Sequence, residues 1–369
     1  MQRAFLAADG GQPLTATARR ALDHALAVGW ADPTLRAHEG RSSRLLLDTA
    51  AQTVAASVRA PTAAVSFYPG ASAALRAAIA AALRRHPGSQ SSHPGPVLAA
   101  GAADRQVVLG FDAGPRIEVD GVGRIRLDSL AAALGDDGVG AVCLQVGNPE
   151  VGTRQPLSDA AAICRSAGVP LVVDATMAAG RAELPADWGA LVLDARSWAG
   201  GTDVAAVVVA PGSGIAPGSG PLPLEAPGVP NCAAAALSLE AAQADLRARS
   251  LADHAATGEL RHRLAALPDV AVHGDPEDRL PHVVGCSALY IDAEALLLEL
   301  DRRGISVASG SACATAAAQP SHVLAAMGVL TSGNIRVTLP VDRRPDDLQR
   351  LVTALPEALA SLRAEAGLQ

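Results

Sequence analysis

Apolar positions along this chain fall into two periods. Leu14 to Trp30 and Arg44 to Ala60 carry them at helical spacing, with Thr15 or Thr17 placed to cap the first run and Pro61 following the second. Ala63 to Tyr68 reads as a short strand, which Pro69-Gly70-Ala71-Ser72 turns into a helix over Ala73 to Arg85. Near-continuous apolar runs at Ala141 to Val146, Val169 to Val173, Ala190 to Leu193 and Val204 to Ala210 predict buried strands, with a helix over Ser158 to Ala167 between the first two. Strands alternating with helices in this way predict an α/β fold with a largely parallel sheet covered on both faces. The last pair, joined through Gly200-Gly201-Thr202-Asp203, predicts a hairpin at the sheet edge. Ala233 to Arg249 then predicts a long helix leading to a second lobe, with strands at Val270 to His273, Cys286 to Ile291 and Gly333 to Leu339. Helices over Ala293 to Arg303 and Asp346 to Leu362 would cover it. His86 to Pro96 and Pro211 to Pro230 are rich in Pro and Gly and predict exposed connections.

A length of 369 residues suits two packed domains or one large domain with a smaller lobe. With 49% apolar but only 2% aromatic residues, the core must be built from Ala, Val and Leu, and no stacking platform for nucleic acid is expected. The net charge of −7 argues the same way. The apolar run after Met1 is too short for a signal peptide and no later run approaches membrane-spanning length, so a soluble cytoplasmic protein is expected. Cys143, Cys164, Cys232, Cys286 and Cys313 lack CxxC spacing, which disfavours a zinc site and a disulfide framework. The first four are expected to pack as small hydrophobes. His86 and His93 read as solvated loop residues rather than metal ligands, and no metal is expected.

Candidate chemistry concentrates in five places. Val307 to Leu324 sets Cys313 among small residues, with Gly310 and Ala312 allowing movement, Pro320 stopping it and Ser321 placed to cap a helix over His322 to Met327. The turn Gly70-Ala71-Ser72 brings free backbone N–H groups and a helix dipole together as an anion site. Three further segments, Asn148 to Thr153, Asp174 to Met177 and Asp194 to Trp198, follow strands, where sites in parallel sheets form. All thirty residues of the Lys+Arg total are arginine, so the chain has no lysine.

The Cys313 stretch closely resembles the mobile loop of the cysteine desulfurases, pyridoxal-phosphate enzymes of the class V aminotransferase fold whose loop cysteine takes sulfur from L-cysteine as a persulfide. The resemblance runs from Leu6-Ala7-Ala8-Asp9 to the last helix. It implies an N-terminal segment, 1–15, packing with the small domain, a large cofactor-type domain over 16–250, and a small α+β C-terminal domain over 251–369 carrying Cys313. It also implies that Arg336 binds the substrate carboxylate, a strand-end salt bridge being the alternative. Gly70, Ala71 and Ser72 would grip the cofactor phosphate, with Ser72 at a threonine position, and Asp174 would pair with the pyridinium nitrogen.

Against that pattern several positions differ. Arg105 stands where the family has a ring-stacking histidine, Pro149 replaces an asparagine and Met177 a glutamine or histidine. Ser197 occupies the Schiff-base lysine position, Arg196 the histidine before it, and Val229 the place of a threonine that reaches the phosphate from the partner subunit. A guanidinium does not give up its proton, so arginine cannot replace the lysine. The expected reading is sulfur transfer through Cys313 without a covalent pyridoxal-phosphate aldimine. The alternatives are a non-catalytic regulatory subunit pairing with a competent desulfurase or a sulfur acceptor, and an enzyme holding pyridoxal phosphate noncovalently. A homodimer or heterodimer is expected, with a sulfur-acceptor protein as a possible partner and neither nucleic acid nor membrane. A buried Asp174 without the cofactor would be costly, so Arg105 or Arg196 is expected to bond it, both pointing to solvent being the alternative.

Overall fold

The computed structural model describes residues 3–61, 63–84, 96–111, 114–135, 138–201, 203–216, 226–310 and 320–367. Cys313, Thr202, His86 and His93, and much of the connection over 211–230, lie outside them. In order, the elements are β1 (Ala4–Phe5), α1 (Ala16–Val28), α2 (His38–Ser57), β2 (Ala64–Tyr68), α3 (Ala71–Leu83), β3 (Val97–Gly101), α4 (Gln106–Leu109), β4 (Arg116–Ile117), α5 (Leu127–Ala133) and β5 (Val139–Gln145). Then come α6 (Leu157–Ser166), β6 (Leu171–Asp174), β7 (Ala190–Asp194), β8 (Ala205–Val209), α7 (Val229–Ala244) and α8 (Leu246–Ala265). The chain closes with β9 (Val270–Val272), β10 (Val283–Ala288), α9 (Ala293–Arg302), β11 (Ile305–Ser306), α10 (His322–Met327), β12 (Asn334–Thr338) and α11 (Asp346–Glu365).

The central sheet has seven strands in the order β2-β8-β7-β6-β5-β3-β4. Strands β4, β3, β5, β6 and β7 are parallel, and β8 and β2 complete the sheet with antiparallel pairings. Strands β5, β6, β7 and β8 are buried along their whole length because each face meets a core of its own. On one face the alanine-rich α3 packs Leu75 and Ile79 over Val172 and Val192. On the other, Val54 of α2 and Cys232, Ala236 and Leu239 of α7 join the cluster of Leu144, Val173 and Leu191. The sheet is the mixed, mainly parallel one expected, but the β7-β8 hairpin is not at its edge. Strand β2 adds outside β8, with Ser66 opposite Val207.

The C-terminal part builds an antiparallel sheet β12-β10-β9 around its own core of Leu260, Leu264, Leu296, Leu300, Leu351 and Leu355. Strand β1 reaches into this region and pairs in parallel with β11. Helix α2 begins at His38 rather than Arg44 and ends at Ser57 rather than Ala60, and two predicted elements of the C-terminal half differ as well. The helix expected from Ala233 to Arg249 starts at Val229 and divides at Asp245, because α7 packs into the large core while α8 contributes Leu260 and Leu264 to the small one. Strand β10 begins at Val283 and ends at Ala288 rather than running from Cys286 to Ile291. Gly285 belongs inside the ladder because a Cβ there would lie 2.6 Å from the Glu150 carbonyl oxygen. Residue 250, the expected domain boundary, falls within α8. No helix among the described residues is long and apolar enough to cross a membrane.

Candidate functional site

The carboxyl ends of β6 and β7, the start of α3, the N-terminal segment and β12 surround one cavity of about 170 Å³. Its floor is set by turn chemistry. After β2 the chain passes through Gly70 at φ 89°, a conformation that suits glycine, and α3 begins without a side-chain cap. The first N–H groups of α3 therefore have no acceptor from their own helix. Ala71 and Ser72 line the cavity, and Arg196 Nη2 lies 3.5 Å from where a Gly70 Cβ would be.

Strand β6 ends at Asp174, which is 4% exposed. Both of its oxygens are in use. Oδ1 accepts from the Thr176 backbone N–H at 2.9 Å and from the Thr176 hydroxyl, while Arg105 Nε lies 3.1 Å from Oδ2. Strand β7 ends at Asp194, whose Oδ2 meets Arg196 Nε and Nη2, each at 3.1 Å. Burial holds the Asp194 carboxyl above its usual range, and Arg196 opposes that. Of the two candidate arginines, Arg105 bonds Asp174 and Arg196 turns to its own neighbour. Ser197 is buried between them and Arg181, and its hydroxyl has no partner.

Three further ion pairs join the cavity region to the C-terminal part. Arg181, fully buried, donates from Nη2 to Asp253 Oδ2 and to the Leu339 carbonyl, both at 3.0 Å. Burial pulls its pKa down and Asp253 opposes that. Arg343 shares Asp253 at 3.3 Å. Arg336 of β12 pairs with Asp9 of the N-terminal segment. The position resembling a substrate-carboxylate arginine thus already holds a carboxylate of its own chain.

Sequence reasoning missed Asp9, Arg181, His282 and Thr338, which line this cavity together with Thr176 of the expected Asp174 to Met177 segment. Met177 also lines it, whereas Pro149 is half-buried in the turn after β5 and away from it. The neighbouring Asn148 is a turn brace: its Oδ1 accepts from the N–H groups of Glu150 and Val151 at 2.8 and 3.0 Å. Val229 is the first residue of α7.

The borders of the Cys313 loop are held beside Arg336. Ala308 and Arg336 exchange backbone hydrogen bonds at 3.0 and 2.7 Å, and Gly310 N–H donates to Asn334 Oδ1 at 3.0 Å. On the far side, Ser321 caps α10 by accepting from Leu324 N–H and donates its hydroxyl to Glu150 Oε2 at 2.7 Å. A Cβ on Gly310 would lie 1.8 Å from Glu150 Oε1, so one buried carboxylate meets both borders and would have to shift for any other residue at the first. Burial pushes the Glu150 carboxyl up. No group of His, Cys, Asp and Glu among the described residues could hold a metal ion.

Pyridoxal phosphate held as the resemblance implies does not fit these residues. The chain has no lysine, Ser197 stands at that position, and the carboxylate meant for the pyridinium nitrogen is filled by Arg105 and Thr176.

Comparison with known proteins brings the fold and the site together. Residues 190–351 match the aminotransferase class-V family. A cysteine desulfurase of Cereibacter sphaeroides is 34% identical over 263 residues, 68% of this chain and 67% of the relative. The cysteine desulfurase NifS of Azotobacter vinelandii is 30% identical over 67% of this chain and 65% of its own length. The matched stretch thus spans about two thirds of these relatives. A cysteine desulfurase IscS of Dictyoglomus turgidum is 26% identical over 95% of this chain and 93% of its own. Among solved structures, a NifS-like protein superposes with a TM-score of 0.85 at 20% identity, covering 98% of this chain and all of the other. A NifS-like protein from Rickettsia africae gives 0.81 at 18% identity over 97% of this chain and 100% of that one.

Proposed function

Because this chain belongs to the cysteine desulfurase family, we propose that it serves sulfur metabolism by relaying sulfane sulfur through Cys313, with no Schiff base to pyridoxal phosphate at any stage. One observation carries the reading: Asp174 spends both oxygens on Arg105 and Thr176 in a chain that has no lysine. The family is typically pyridoxal-phosphate-dependent, and the cofactor supplies the route by which the C–S bond of L-cysteine is broken. Without it the sulfur must arrive already bonded to sulfur.

The relay is a thiol exchange. The Cys313 thiolate attacks the outer sulfur of a donor persulfide, a new S–S bond forms at Cys313, the donor's S–S bond breaks, and the donor leaves as a thiolate with the electron pair. The transferred sulfur keeps its hydrogen, and neither oxidant nor reductant is consumed. A sulfur-acceptor protein would discharge Cys313 by the same step. Such a relay needs a free thiol, which fits a reducing cytoplasm.

We place a second copy of this chain on the apolar groove of about 680 Å³ between α1, α2 and the start of α7, where Leu26 and Trp30 are exposed. Light scattering that finds a monomer at all concentrations would remove this part of the reading.

The test of the relay has two arms. Pyridoxal phosphate followed by borohydride and mass spectrometry is expected to leave no adduct on any side chain. Glutathione persulfide, followed by peptide mapping, is expected to add one sulfur atom to the Cys313 peptide. A side-chain cofactor adduct, or sulfur landing elsewhere, would sink the proposal.

A further inference from the structure

Arg336 of β12 is fixed at the border of the Cys313 stretch. Its N–H donates to the Ala308 carbonyl at 2.7 Å and its carbonyl accepts from the Ala308 N–H at 3.0 Å, two residues before Gly310. A guanidinium in that place is suited to anchor a carboxylate on an incoming sulfur donor, because its fork of N–H groups matches both carboxylate oxygens. Here the chain itself takes the anchor.

Asp9 reaches Arg336 because the N-terminal segment is pinned on either side of it. Ahead of Asp9, Leu6 N–H donates to the Ser306 carbonyl and Thr338 N–H to the Leu6 carbonyl, each at 2.8 Å. Beyond it, Gln12 accepts from the Val341 N–H at 2.7 Å and donates to the Arg196 carbonyl at 2.8 Å. A short 3-10 turn over Ala8–Gly10 carries the carboxylate between these points to Arg336 Nη2. The two side chains are only 15% and 16% exposed, so solvent and salt screen the pair little.

The contact occupies Arg336 without satisfying it. One oxygen meets one nitrogen, while Asp9 Oδ1 and Arg336 Nε are buried with no partner among the described residues. Buried polar atoms in native proteins are ordinarily satisfied. A donor carboxylate bonding Nε and Nη2 together would suit the guanidinium better than Asp9 does, so Asp9 competes for it from within the chain. The other carboxyl that senses Arg336, on Glu150, is held up by burial and gives its Oε2 to the Ser321 hydroxyl.

We propose that Asp9 is a specificity-determining residue: it holds Arg336 closed to donor carboxylates, so that Cys313 takes sulfur alike from persulfides with and without a carboxylate. The inference rests on the relay through Cys313, and it leaves the exchange itself unchanged. The thiolate attacks the outer sulfur, the S–S bond to Cys313 forms as the donor's breaks, and the donor leaves as a thiolate. Asp9 decides only which donors Arg336 can grip.

The test gives the full-length protein two donors that differ in the carboxylate, the persulfide of 3-mercaptopropionate and the persulfide of its neutral amide. Initial rates of sulfur addition to the Cys313 peptide are read by mass spectrometry. The parent is expected to load from the two at rates within about threefold of each other, the range of a solvent-exposed ion pair. Asp9→Ala is expected to raise the carboxylate-to-amide rate ratio at least about tenfold, the factor gained with a charge-assisted hydrogen bond. Because that change leaves Arg336 without a counter-charge and can cost folding, the isosteric Asp9→Asn, which keeps an acceptor there, serves as a second variant. Its ratio is expected to rise at least about threefold. Combining Asp9→Ala with Arg336→Gln is expected to abolish the rise. The inference is overturned if the parent already prefers the carboxylate donor about tenfold, if the ratio rises in neither variant, or if the rise survives the loss of Arg336. If neither donor loads Cys313 in any of these proteins, the relay falls and this inference with it; if both load and the ratio stays flat, this inference alone falls.

Discussion

Arg105 Nε stands 3.1 Å from Oδ2 of Asp174, at the carboxyl end of the buried strand β6. A carboxylate that is 4% exposed is stable there only with a matched charge, and Arg105, with 29% of its side chain exposed, supplies it. The pair occupies the position where the family resemblance would put a protonated pyridine.

Removing one member of this pair tests its structural weight. Arg105→Ala is expected to destabilise the protein by about 3 kcal/mol, the low end for breaking a buried pair, because Arg105 is partly exposed and Thr176 still bonds Asp174. Arg165→Ala, which breaks the exposed pair with Asp187, should cost less than about 1 kcal/mol. Urea denaturation of both variants provides the comparison. Equal losses would show that the buried pair contributes no more than a surface one.

Thiol reactivity is expected to distinguish Cys313 from the other cysteines. Cys143, Cys164, Cys232 and Cys286 are all at most 4% exposed, and burial pushes the last three up to about 12. Limited alkylation with peptide mapping is expected to label Cys313 first, by at least about tenfold, since only the thiolate attacks and access is required. Equal labelling of Cys143 or Cys164 would remove the basis for a relay through Cys313.

A proton held inside the large domain gives stability a pH signature. Asp104 is buried, accepts from the Gly101 N–H at 2.8 Å, and is pushed from 3.8 up to about 8 by burial, with Asp174 adding to the effect. Between these values the folded protein holds a proton that the unfolded chain has released. This contribution is full below the unfolded value and is lost as pH rises, by about 1.4 kcal/mol per pH unit. Buried His273, held down at about 4, acts in the opposite sense by costing stability as pH falls below 6.5. The contributions separate in a difference measurement: the stability of Asp104→Asn relative to the parent should rise steadily from pH 4 to 8. A flat difference would mean that Asp104 is not protonated in the folded state.

The sequence made the scaffold legible where burial is two-sided. Runs such as Leu171-Val172-Val173 have no polar positions because both faces are covered, and that is readable without contacts. Strand β3 was not, since Leu98-Ala99-Ala100-Gly101 are mostly small residues with little strand preference and are drawn in by pairing with β5. In the site, the need for a cation at Asp174 follows from burial, but the choice between Arg105 and Arg196 depends on where Asp194 points. Asp9, His282 and Thr338 come from separate parts of the chain and meet only because β1 pairs with β11 and Thr338 N–H donates to the Leu6 carbonyl. No local pattern encodes that meeting.

Restoring an amine at position 197 asks whether the missing lysine alone prevents aldimine formation. Ser197 is 9% exposed and lines the cavity, so Ser197→Lys would set its amine near Arg196 and Arg181 in a site whose charges are already matched. Burial and those cations favour a neutral amine, which is the nucleophilic form. The Arg105 guanidinium still fills Asp174, and Met177 remains at a polar position of the family pattern. Borohydride trapping with pyridoxal phosphate is therefore expected to give a weak adduct at position 197 in the single variant. Adding Arg105→His frees Asp174 and should raise the trapped fraction about tenfold, with L-cysteine desulfuration still negligible. If the single variant traps cofactor as fully as the double, Arg105 does not close the site and the absent lysine is the whole barrier.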